Sequence, residues 1–196
     1  MKPLLLLRHS IPDQTGTSGL SAEGVKKARE LFRKENFRSV SRVWASPVPR
    51  VAETAALLGL PVTQDARLAE RRTGDTAGQD GSFWARQYAD IDFKNPDGES
   101  FREVRARMDA CITEALSDLP EGGTVLVVSH AAAICSWLMG FCTVEVTDAA
   151  QKLRRVTFQN KIVLDGALEP ASGFEVRIER GEVILLAPLT PDHWEG

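Results

Sequence analysis

Two short apolar runs, residues 3–7 and 125–128, constrain this chain more than any other feature, because each stops abruptly at a histidine. The first reads "LLLLRHS" and ends in Arg8-His9; the second reads "VLVVSH" and ends in Ser129-His130. A strand that is apolar on both faces is one covered on two sides, the situation of a parallel sheet. In such a sheet the strand carboxyl ends lie along one edge, and that edge is where open α/β folds bind ligands. His9 and His130, far apart in sequence, can therefore meet in one crevice.

The segments between these runs fit the same plan. "LSAEGVKKARELFRKE" has helical spacing with Ser21 as its N-cap, "SRVWAS" reads as a second strand, and "RVAETAALLG" as a helix ending at Gly59. "PVTQDARLAE" reads as a third strand running into a loop, and "SFWARQYADIDF" as a short helix whose Phe83, Trp84 and Tyr88 either line a pocket mouth or simply pack. "GESFREVRARMDACITEALSDL" is the clearest helix, opened by the capping box Ser100-x-x-Glu103, and "AAAICSWLMGF" reads as a buried helix. Strands alternating with helices predict a mostly parallel sheet with helices on both faces. Near the C-terminus, Phe174, Val176 and Ile178 alternate with charged residues before Arg180-Gly181, which predicts an antiparallel hairpin at the sheet edge. Residues 144–164 are compatible with more than one assignment. The whole length, 1–196, is expected to form one domain, and His193 and Trp194 carry no assigned role.

Composition narrows the partners. A net charge of −3 and a pI near 5.7 disfavour nucleic acid or an anionic membrane, so an anion site must be a local cluster of arginines. Cys111, Cys135 and Cys142 lack CxxC spacing, and the first two fall in helical runs where a free thiol packs as a small hydrophobe. Neither a disulfide framework nor a zinc site is expected. The opening leucines are too few for a signal or membrane segment. The expected location is the cytoplasm.

A third strand end adds chemistry. Ser46-Pro47 follows the second strand, and Arg50 falls in the first turn of the next helix, where the helix N-terminus already favours an anion. Arg8, Arg50, His9 and His130 together suit a dianionic tetrahedral group, since arginine offers paired planar donors to phosphoryl oxygens. A neutral imidazole can attack phosphorus and carry it as phosphohistidine. The leaving alkoxide then needs a proton, and Glu70, just after the third strand, is the best-placed acid.

The ordered set Leu7-Arg8-His9, Ser46-Pro47-x-x-Arg50-x-x-x-Thr54-Ala55, Leu68-x-Glu70-x-x-x-Gly74, Gly98-Glu99-Ser100 and Val128-Ser129-His130 resembles the histidine phosphatase superfamily, also called phosphoglycerate mutase-like. The resemblance implies a three-layer α/β/α sandwich and phosphoryl transfer without a metal or other cofactor. It implies His9 as nucleophile, and Arg8, Arg50 and His130 as the grip on the phosphoryl oxygens. Glu70 would serve as general acid and then as base, and Gly98-Glu99-Ser100 would either shape the pocket mouth or cap a helix.

The chain also departs from the family pattern. It reads Arg8-His9-Ser10-Ile11-Pro12 where the family writes Arg-His-Gly and continues to an Asn; Ser10, Thr15 or Thr17 are the available replacements for that phosphate contact. Ala131 stands where the family usually has Gly, and Ala tolerates positive φ poorly. Ser10, Arg71 and Ala131 are the substrate-pocket candidates, with Arg72 a further possible contact. Family mutases carry a longer insert with an Arg pair after the Glu motif; here the segment is short and holds only Arg86, which favours hydrolysis of a small phosphomonoester. The alternatives are a mutase-type phosphotransferase and a non-catalytic binder of a phosphorylated ligand or a protein. A homodimer through an edge strand is the one macromolecular association expected.

Overall fold

The computed structural model describes residues 1–14, 19–80, 82–117 and 119–191. Thr15, Thr17, His193 and Trp194 lie outside the described residues.

In chain order the elements are β1 (Lys2–Arg8), α1 (Ala22–Leu31), β2 (Val40–Ala45), α2 (Pro49–Ala56), β3 (Val62–Gln64), α3 (Phe83–Ala89), α4 (Phe101–Ser117), β4 (Thr124–Ser129), α5 (Ala131–Leu138), β5 (Thr143–Asp148), β6 (Leu153–Phe158), β7 (Lys161–Gly166), β8 (Gly173–Glu179) and β9 (Glu182–Leu189). The main sheet has the order β3-β2-β4-β1-β8-β9. Its first four strands are mutually parallel, and β8 and β9 add antiparallel to the β1 side. The predicted hairpin is thus present, turning at Arg180 and Gly181, whose φ angles of 52° and 84° suit a two-residue turn between right-twisted strands.

The two faces of β1 and β4 go to two different cores. Leu4, Leu6, Val125 and Val127 pack with Val104, Met108 and Ile112 of α4 and with Ile134 and Leu138 of α5. Leu5, Leu7, Leu126 and Val128 pack with Leu31 of α1 and with Val51 and Ala55 of α2. This is the three-layer α/β/α arrangement, and it explains the unbroken apolar runs: Leu4–Leu7 and Val125–Val128 alternate between the two helix layers. Each buried leucine contributes roughly 1.5–3 kcal/mol from removal of apolar surface from water.

The helices follow their sequence signals. Ser21 Oγ accepts from the Gly24 amide and opens α1. Ser100 and Glu103 exchange hydrogen bonds between side chain and backbone at the start of α4, as a capping box requires. Residues 144–164, left open above, form an antiparallel meander, β5-β6-β7, that packs Val156, Phe158 and Val163 against the α4–α5 layer. No helix among the described residues is long and apolar enough to cross a membrane.

The loop after His9 is fixed by a close backbone approach. A Cβ at Gly24 would lie 2.2 Å from the carbonyl oxygen of Ile11, so only glycine lets α1 sit there. Gly24→Ala is expected to lower unfolding free energy by about 1–3 kcal/mol, the usual cost of overpacking. Denaturant titration checks this, and an unchanged midpoint would show that the loop yields freely.

Candidate active site

The register of three parallel strands assembles the site. Leu7 and Ala45 both lie opposite Val128, and Arg8 lies opposite Ser129, so the next residues of each strand emerge together at one edge. The backbone ladder continues one step beyond: the His9 amide donates to the Ser129 carbonyl (3.0 Å) and the Ser46 amide to the Val128 carbonyl (3.1 Å). His9 and His130 then face each other edge to face, with ring centroids 5.2 Å apart.

Local bonds set the chemistry of His9. Its Nδ1 lies 2.7 Å from the Ser10 carbonyl, which can only accept, so Nδ1 carries the proton. Nε2 accepts from Arg50 Nε at 3.2 Å and therefore presents its lone pair. Burial, followed by the Arg8 and Arg50 charges, lowers the imidazole pKa to about 4 against the pull of the Ser10 carbonyl. His130 is held by Ser46, with Nε2 and Oγ 3.0 Å apart, while its buried Nδ1 has no partner among the described residues. Burial, followed by His9 and Arg50, lowers its pKa to about 3. Both rings are neutral at physiological pH.

The clamp residues are seated from several elements. Arg8 at the end of β1 donates through Nη1 to the Leu168 carbonyl, and its amide donates to the Ser172 carbonyl at 2.8 Å. Arg50 is the second residue of α2; four residues on, Thr54 Oγ1 donates to the Arg50 carbonyl at 2.7 Å and accepts the Ser10 amide at 3.0 Å. Thr54 thus links the nucleophile loop to the helix that carries Arg50. Sequence reading placed Thr54 in the motif without a role; its spacing of four from Arg50 is the available signal.

Glu70 enters from the other side. Its carboxylate accepts from the amides of Arg71 (2.9 Å), Ala132 (3.2 Å) and Ala133 (2.8 Å), so it sits on the N-terminus of α5. Two of the first amides of α5 are thus engaged by the Glu70 carboxylate. Arg107, paired with Glu99 at 2.9 Å, donates to the carbonyls of Arg67, Ala69 and Glu70 and so fixes the loop on which Glu70 rides. Ser100 caps α4, which gives the Gly98-Glu99-Ser100 motif a structural duty.

The three pocket candidates fare differently. Ser10 is fully buried, with Oγ donating to the Gly24 carbonyl at 2.7 Å; its hydroxyl belongs to the scaffold, which corrects its listing as a phosphate contact. Ala131 is the first residue of α5 and is not among the residues with positive φ, so replacing glycine by alanine costs no backbone strain here. Arg71 is buried, donates through Nε to the Glu99 carbonyl at 2.7 Å, and leaves Nη2 without a partner among the described residues. Arg72 is turned to the Asp97 carbonyl and the Glu99 carboxylate. Cys111 and Cys135 are buried on α4 and α5 as expected.

Comparison with known proteins agrees with this geometry. The chain is 31% identical over 130 residues to the protein named probable phosphoglycerate mutase GpmB of Citrobacter koseri, and the match covers 60% of each chain. The chain thus spans about 60% of the length of the curated relatives it matches. Among solved structures it resembles a mycobacterial glucosyl-3-phosphoglycerate phosphatase in complex with inorganic phosphate (TM-score 0.69, 23% identity, 96% of this chain and 94% of that one). It also resembles a phosphoglycerate mutase from Bacillus anthracis (TM-score 0.63, 17% identity, 94% and 91%). The family model described as histidine phosphatase superfamily, branch 1, matches residues 4–160, and with two histidines, two arginines and a glutamate gathered at one sheet edge, this chain belongs to that superfamily.

Proposed function

We propose that the chain hydrolyses small phosphomonoesters through a phosphohistidine at His9, without a metal. The observation that carries this reading is the seating of His9: Nδ1–H donates to the Ser10 carbonyl, and Nε2, in contact with Arg50 Nε, keeps its lone pair. Nε2 attacks phosphorus, the bond from phosphorus to the ester oxygen breaks, and the leaving oxygen takes a proton from Glu70. A water then attacks the phosphohistidine and gives a proton to Glu70 as the P–N bond breaks, which releases inorganic phosphate and restores both groups. Arg8, Arg50 and His130 offset charge on the phosphoryl oxygens as it develops.

The short segment after the Glu70 motif, residues 76–93, supports hydrolysis over transfer. Its one arginine, Arg86, lies over the Phe93 ring at 4.4 Å and is engaged within the segment itself. The name of the GpmB relatives favours a second reading, in which an organic acceptor takes the phosphoryl group from His9 in place of water. The two separate by product: hydrolysis releases inorganic phosphate, and transfer passes it to the acceptor.

Hydrolysis of an aryl phosphate with EDTA present tests the reading. Wild type is expected to release phosphate, His9→Ala to release none, and Glu70→Gln to be slowed by about 10²–10⁴-fold, the usual worth of a general acid. Activity that survives His9→Ala would remove the nucleophile from this account.

A pH series tests the buried neutral rings. In the unfolded chain each histidine titrates near 6.5, whereas the folded values are about 4 and about 3. The unfolded state therefore binds more protons between these values, so stability is full above about pH 6.5 and falls as pH drops toward 4. The melting temperature of wild type should decline over that window more steeply than that of the double variant His9→Asn, His130→Asn; parallel curves would contradict it.

A further inference from the structure

Glu70 lies in residues 69–75, a stretch with neither helix nor strand, yet the chemistry proposed for it needs its carboxylate fixed against the leaving oxygen. A stretch without a ladder of its own must find partners elsewhere for its backbone groups. Here they come from one half-buried ion pair, Glu99 with Arg107 in the second turn of α4.

Arg107 spends all five guanidinium N–H groups at this place. Nε donates to Glu99 Oε1 at 2.9 Å, and Nη2 to Glu99 Oε2 at 3.1 Å. Nη1 donates to the carbonyls of Arg67 (2.6 Å) and Ala69 (2.8 Å), and Nη2 to that of Glu70 (3.3 Å). Glu99 completes the cradle. Its Oε2 accepts the Arg72 amide at 2.9 Å, its own amide donates to the Arg72 carbonyl at 2.8 Å, and its carbonyl accepts Arg71 Nε at 2.7 Å.

With its donors spent, Arg107 has none left for a substrate, and it meets Glu70 only at the backbone carbonyl. The Glu70 carboxylate is held by other groups, the amides of Arg71, Ala132 and Ala133. Different helices therefore set the two ends of this residue, α4 its backbone and α5 its carboxylate. Releasing the α4 end lets the loop shift, and a displacement of about 1 Å can cost as much as 10²-fold in rate.

Resting on the hydrolase reading, we infer that Arg107, locked by Glu99, is the positioning residue of the acid–base step: it holds the Glu70 backbone so that the carboxylate meets first the leaving oxygen and then the attacking water. Glu99 of the Gly98-Glu99-Ser100 motif thereby acts in turnover, while Ser100 caps α4.

A positioning role makes the effect of substitution depend on the leaving group, which a merely structural role does not. 4-Nitrophenolate departs without a proton, whereas an alkoxide needs one from Glu70. The measurement is kcat/KM, which reports formation of the phosphohistidine, for 4-nitrophenyl phosphate and for 2-phenylethyl phosphate. In Arg107→Met the ratio of the two, aryl over alkyl, should rise at least about tenfold over wild type, a part of the 10²–10⁴-fold worth of a general acid. On the aryl ester kcat should fall as well, because Glu70 must still take the proton of the attacking water. Glu70→Gln should raise the ratio further, and adding Arg107→Met to it should change little, since the arginine acts through that carboxylate. Arg107→Lys keeps the charge but lacks the planar fork, so the ratio should stay raised. Full recovery by lysine would assign the effect to charge, which is felt at His130, and overturn the inference. An unchanged ratio in Arg107→Met, or an undiminished shift in the Glu70→Gln background, would overturn it while leaving hydrolysis through His9 standing. Wild type that hydrolyses only the aryl ester would show that no proton reaches the leaving oxygen, with the same result. Should wild type hydrolyse neither ester, the hydrolase reading and this inference fall together. If Arg107→Met does not fold, Arg107→Lys decides alone.

Discussion

The single contact on which the site depends is the hydrogen bond between His9 Nδ1 and the Ser10 carbonyl. It fixes the tautomer, and the tautomer leaves Nε2 with a lone pair. Everything around it serves to hold that carbonyl still. The Ser10 amide is anchored on Thr54, its hydroxyl on the Gly24 carbonyl, and α1 approaches so closely that position 24 has no room for a side chain. An imidazole held in this way has no freedom to flip, and burial keeps it unprotonated. The cost is a fully buried serine whose hydrogen-bonding capacity is spent on structure rather than on substrate.

A second constraint runs through the other half of the site. Glu70 has no element of its own; it rides on a loop. That loop is gathered by Arg107, which takes three of its carbonyls, and by Ser129 Oγ, which takes the Leu68 carbonyl at 2.8 Å. Seating the carboxylate on the amides of α5 then ties it to the helix that begins at His130. The His9 loop, the arginines and Glu70 are therefore coupled through bonds that run from side chains to backbone groups.

How much of this was legible follows from how each feature is encoded. The strand ends were readable because two apolar runs stop at histidine, and parallel register then dictates that they meet. Ser21, Ser100 and Glu103 announced their helices through local capping chemistry, which needs no tertiary knowledge. The meander was not readable. Its inward face on β6 is Arg154, Val156 and Phe158, so a charge sits where alternation would show an apolar residue. Its second turn is Gln159-Asn160, both at positive φ, without the glycine that usually marks such a turn. The seating of Glu70 and the commitment of the Ser10 hydroxyl were equally hidden, because both depend on distances between segments remote in sequence.

One feature of the main sheet bears on how the molecule comes into being. β1 lies between β4 on one side and β8 on the other, and Arg8 is held by carbonyls at 168 and 172. β1 is thus made well before its outer partner β8, which lies more than a hundred residues downstream. A growing chain can shape α1, α2 and α4 from local contacts, but it cannot seat Arg8 until residue 172 has emerged. The seating of Arg8 is therefore acquired late, once β8 has docked on β1, rather than built up strand by strand.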